Sequence, residues 1–139
     1  MSRDSKVTVV LADDHPEVLE EVTRVLGSKF HILATASNGA LAVQAVAKHE
    51  PDVAVLDISM PVMSGIEAAR EIRRMRLRTK VVFLSVFSDP DIIEVTKTMG
   101  AGYVWKVHMS SGLTAAIMKA SLFPTLSTRR AKVIPFIRT

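Results

Sequence analysis

Three carboxylates, one hydroxyl and one lysine are the residues of this sequence best suited to chemistry. Asp13 and Asp14 are adjacent, Asp57 lies well downstream, and Ser85 and Lys106 follow in later segments. Carboxylates gathered in one place repel one another, and the ordinary remedy is a hard cation with oxygen ligands. Magnesium suits such a set, because it binds through one or two carboxylates and keeps positions for water and phosphate oxygens. A serine hydroxyl can donate to a phosphoryl oxygen, and a lysine ammonium offsets the charge spread over such oxygens. An aspartate can itself be the nucleophile and carry an acyl phosphate. Asp57 is the best placed of the three to do so.

These residues matter only if the fold brings them together. Short β-branched runs alternate with longer amphipathic stretches, which predicts five βα units. The expected strands are Val7 to Ala12, Phe30 to Ala36, Val53 to Asp57, Val81 to Val86 and Gly102 to Lys106. The expected helices cover Pro16 to Leu26, Ala40 to Lys48, about Ile66 to Met75, Pro90 to near Gly100, and Leu113 to Leu122. Asn38 and Ser64 are candidate caps, and Gly27 and Pro51 are stop signals. Strands this apolar are buried on both faces, as in a parallel sheet with helices on either side. The fold class is therefore α/β, a doubly wound, flavodoxin-like (βα)5 arrangement with strand order 2-1-3-4-5. That order makes the first and third strands neighbours, so Asp13, Asp14 and Asp57 converge at their carboxyl ends. Ser85 and Lys106, at the ends of the fourth and fifth strands, fall on the same edge.

Taken singly, each of these residues has an ordinary explanation. An acid pair before a helix favours its N-terminal dipole, and most lysines are surface lysines. The set is more informative, since acids, hydroxyl and lysine all land on the ligand-binding edge of one fold.

The segments LADDHP, VLDISMPVMSG, VVFLSV and AGYVWK resemble the successive signature segments of response-regulator receiver domains, a likeness covering roughly residues 6 to 122. The closest similarity is to receivers that precede a LuxR-type DNA-binding domain. The resemblance implies a two-component switch in which Asp57 is the phosphoacceptor. It implies that magnesium is held by Asp13, Asp14, Asp57 and the backbone carbonyl of Ser59, with Asp14 the more direct ligand of the acid pair. Ser85 matches the phosphate-sensing hydroxyl, Lys106 the phosphate-site lysine, and Tyr103 the switch aromatic. A sensor histidine kinase or phosphotransfer protein is the implied donor. The surface of the fourth helix, fifth strand and fifth helix, with Trp105 on it, is the implied output face, and a homodimer is one possible output. Lys106 is followed by Val107 where many receivers have proline.

Other classes fit less well. There is no GxxxxGK[ST] loop and no GxGxxG after a strand, and the acidic loop after the first strand repels a flavin phosphate. A phosphohydrolase acting on an external substrate would need a cap insertion that the spacing leaves no room for. The expected chemistry is thus self-phosphorylation and self-dephosphorylation, not turnover of a separate substrate. A receiver-like binding module that is never phosphorylated is the main rival.

The chain of 139 residues fits one domain and has no cysteine, so no disulfide framework or thiolate site is indicated. It shows no signal peptide and no apolar run long enough to span a bilayer, so a cytoplasmic location is expected. The formal charge of +4 is accounted for by Arg129, Arg130, Lys132 and Arg138, which makes 1–122 the expected receiver domain and 123–139 a basic tail or truncated linker. DNA binding by the chain itself is not expected. His15, His31, His49 and His108 have no metal-ligand spacing, and only His15 lies near the acid pair. The arginines from Arg70 to Arg78 read as the solvated face and C-terminal end of the third helix.

Overall fold

A computed structural model describes residues 6–86, 89–106 and 109–122; Val107, His108 and the basic tail lie outside these. The elements alternate as expected: β1 (Thr8–Ala12), α1 (Pro16–Leu26), β2 (His31–Ala36), α2 (Gly39–His49), β3 (Val53–Asp57), α3 (Gly65–Arg74), β4 (Lys80–Ser85), α4 (Pro90–Thr98), β5 (Gly102–Trp105) and α5 (Met109–Leu122). All neighbouring strands are parallel, in the order β2-β1-β3-β4-β5. This is the flavodoxin-like arrangement, and β1 and β3 flank its switch point.

Helix starts follow local chemistry. Asn38 caps α2, its side chain accepting from the Leu41 N–H at 2.8 Å. Ser64 and Glu67 form a reciprocal capping box at the start of α3, with bonds of 3.1 and 2.9 Å. Asp89 caps α4 ahead of Pro90, accepting from Asp91 at 2.9 Å. Most ends fall within one or two residues of the expected ones, β4 for instance running Lys80–Ser85 against an expected Val81 to Val86, and two ends of the C-terminal unit bear on the site. Helix α5 begins at Met109, ahead of the expected Leu113, because Ser110, Ser111 and Gly112 carry no apolar period although the backbone there is already helical. Strand β5 ends at Trp105, one residue short of the expected Lys106, which lies just beyond the ladder in 3-10 conformation.

The alternation of side chains along the strands divides the core in two. On one face Val10, Ala12, Ala54, Leu56, Val81 and Phe83 pack with Ala42, Val46, Ala68 and Ile72 of α2 and α3. On the other, Val9, Leu11, Val55, Val82 and Leu84 pack with Val22, Leu26, Leu113 and Ile117 of α1 and α5. Burial of each large side chain contributes about 1.5–3 kcal/mol, so the central strands are held firmly from both sides. Helix α4 is held less tightly: Thr96 is its one buried residue, and Ile92 is only partly covered. An element with little buried apolar surface is where a conformational change costs least.

Candidate functional site

The site lies at the carboxyl ends of β1 and β3. Asp13 leaves β1 with its backbone N–H donating to the Ala36 carbonyl at 3.0 Å, and it is fully buried. Its Oδ1 accepts the His15 backbone N–H at 2.9 Å, and its Oδ2 lies 2.7 Å from the Lys106 Nζ. The same ammonium is 3.2 Å from Asp57 Oδ1. One lysine from beyond β5 therefore joins two carboxylates from β1 and β3. Asp14 is partly exposed, and its Oδ1 lies 3.0 Å from His15 Nδ1, which is also 3.1 Å from Asp13 Oδ1.

The electrostatics follow from this crowding. Burial, and then the Asp13 charge, push the Asp57 carboxyl up to about 6, although Lys106 pulls it down. Burial alone would lower the Lys106 ammonium, but its contacts with Asp13 and Asp57 carry it above its ordinary value. His15 is raised, first by its hydrogen bond to Asp13 and then by the Asp14 charge. A single lysine does not balance three carboxylates. Asp13 Oδ2 and Asp14 Oδ1 are moreover buried with no hydrogen-bond partner, beyond the charged contacts just given. Buried carboxylate oxygens with spare lone pairs are the donor set a hard divalent cation takes. The residues fit magnesium on that ground, and the donor atoms of Asp13, Asp14 and His15 lie within 4.8 Å of one another.

The remaining expected residues are placed as follows. Ser85 ends β4, is 2% exposed, and comes one residue after Leu84, the β-partner of Asp57. Tyr103 on β5 is partly buried in the same cluster as Ile92 and Met99 of the α4 segment. Ser59 is exposed, two residues after Asp57. Trp105 is 37% exposed, and its indole N–H donates to the Val86 carbonyl at 2.9 Å.

Two participants are not apparent in the pattern of residue types. His15 reads as a loop histidine, yet its ring nitrogen reaches both members of the acid pair; its adjacency to them was the available signal. Gly65 is the other. Its N–H donates to the Ile58 carbonyl at 2.9 Å, and a Cβ there would lie 2.2 Å from the Asp57 carbonyl oxygen. Only glycine lets the start of α3 come this close to Asp57. Between them, the loop turns sharply at Val62, which is 83% exposed with φ at 68°, while Met63 N–H donates to the Pro61 carbonyl at 2.7 Å.

The response regulator receiver domain is matched by residues 9–118. The chain is 34% identical over 117 residues to the transcriptional regulatory protein DegU of Brevibacillus brevis, a match covering 82% of this chain and 50% of DegU. The chain thus spans about half the length of the curated relatives it matches. Among solved structures, the signal receiver domain of the putative response regulator NarL from Mycobacterium tuberculosis superposes with a TM-score of 0.81 at 33% identity, covering 85% of this chain and 98% of that one. A LuxR-family DNA-binding response regulator from Staphylococcus aureus gives 0.78 at 29% identity, covering 83% and 98%.

Proposed function

The chain belongs to the response regulator receiver family, and from that membership together with the geometry of its acidic edge we propose that it is a phosphorylation switch whose acceptor is Asp57. The observation that carries this reading is the largely covered Lys106 ammonium, in reach of both Asp13 and Asp57. The donor is a phosphohistidine of a sensor kinase or phosphotransfer protein. An Asp57 carboxylate oxygen attacks phosphorus, the nitrogen–phosphorus bond breaks, and the departing imidazole takes up a proton, leaving an acyl phosphate.

Each neighbouring residue has a distinct task. Lys106 offsets charge on the phosphoryl oxygens once Asp57 carries the acyl phosphate. Asp13, Asp14, Asp57 and the Ser59 carbonyl hold magnesium, which supplies charge neutralisation for the incoming phosphoryl group. Ser85 donates its hydroxyl to a phosphoryl oxygen, and the Tyr103 ring follows that movement. The loosely held α4 then shifts against β5, altering the surface formed by α4, β5 and α5. The chain acts on itself and on no separate substrate, and it signals through a partner or a second copy at that surface.

Intact mass after treatment with acetyl phosphate and magnesium tests the assignment. The wild type gains one phosphoryl group, and Asp57→Asn gains none. Magnesium-dependent labelling of the variant at another residue would show that Asp57 is not the acceptor.

A further inference from the structure

Trp105 is the only tryptophan of the chain, and its indole N–H is directed at the backbone of another strand's end. Its acceptor, the Val86 carbonyl, belongs to the first residue after β4, immediately beyond Ser85. Val86 is 54% exposed, so water could satisfy both groups. The bond's consequence is therefore a tether more than a rescue of buried polarity. Sheet order gives the tether a direction. β4 lies between β3, which carries Asp57, and β5, which carries Trp105. Ser85 and Trp105 are register partners, and Asp57 is the partner of Leu84. A pull on the end of β4 from Trp105 is thus a pull toward β5 and away from Asp57.

Resting on the phosphoacceptor reading above, we infer that Trp105 is a positioning residue that holds the end of β4 in its unphosphorylated arrangement through the Val86 carbonyl. Engagement of the Ser85 hydroxyl with a phosphoryl group on Asp57 draws the end of β4 toward β3. Val86 is one peptide link away and must follow, so the indole bond is given up. The phosphorylated arrangement is then disfavoured by about the value of one net hydrogen bond, a factor of roughly five in the equilibrium. Removing the donor while keeping the ring removes that factor.

The experiment uses the full chain with magnesium and beryllofluoride as the phosphoryl mimic. Bound fluoride is followed by 19F NMR in wild type and in Trp105→Phe, and wild-type tryptophan emission and acrylamide quenching are recorded over the same titration. The expected result is roughly five-fold tighter beryllofluoride binding by the variant, with a change in wild-type emission that tracks the bound 19F signal. Saturated 19F binding with unchanged emission would overturn the inference, as would a variant affinity equal to that of wild type. No bound 19F signal in either protein would instead overturn the phosphoacceptor reading, and the inference with it. The wild-type emission needs no variant, so it decides the matter even if Trp105→Phe folds poorly.

Discussion

The Lys106 ammonium lies 2.7 Å from Asp13 and 3.2 Å from Asp57, and the Asp13 carboxylate it touches has no exposure to solvent. A charge so placed lowers the cost of keeping two carboxylates together, and it sets how readily Asp57 ionises.

Lys106→Ala should therefore raise the Asp57 titration above its value of about 6, since Lys106 is the cation that pulls it down. The apolar core is untouched, because Lys106 lies outside both hydrophobic clusters. Carbon-detected NMR of the aspartate carboxyls, with Asp57→Asn for assignment, measures the shift. An unchanged or lower value would mean that the ion pair does not control Asp57.

Metal-free stability should fall as pH rises through the Asp57 titration. The native carboxyl is raised to about 6 from an ordinary 3.8, so the folded state binds a proton that the unfolded state has already released. The corresponding stabilisation is present below the unfolded value and lost as pH rises through about 6, by at most roughly 3 kcal/mol. His15, also raised, acts in the same direction from an exposed position. Denaturant melts between about pH 4 and pH 7 in chelator should show the decline in wild type and a flatter profile in Asp57→Asn. Equal slopes would place the titration elsewhere.

Gly65→Ala should be costly. The added methyl meets the Asp57 carbonyl oxygen at 2.2 Å, and backbone cannot yield as a side chain does. A loss of about 2–3 kcal/mol is expected from this overpacking, with weaker magnesium binding because the Asp57 peptide is displaced. Urea unfolding and a magnesium titration read the two effects separately. A variant as stable as wild type would show that the start of α3 has freedom to withdraw.

Val62→Gly should stabilise the protein. A β-branched residue at φ 68° is strained, and at 83% exposure it loses little packing when removed. A gain of about 1 kcal/mol is expected after glycine's own entropy cost. No gain in the urea midpoint would mean that the Val62 side chain earns its place through contacts.

Much of this protein is legible in the order of its residues. The five βα units, their strand order and most helix starts follow from period, proline and glycine punctuation, and the caps Asn38 and Ser64, all of which act over a few residues. The α5 start was not legible, because Met109 to Gly112 are helical without an apolar stripe to announce it. Likewise, residue types and strand ends nominate Asp13, Asp14, Asp57, Ser85 and Lys106 as a group, since parallel sheets expose their carboxyl ends at one edge. Which atoms meet is another matter. The Lys106 bridge, the His15 ring between two acids, the approach of Gly65 to Asp57 and the Trp105 bond to Val86 depend on ångström-scale register and side-chain direction. Those are decided when distant segments pack at close to crystal density, and a linear pattern carries no record of that distance.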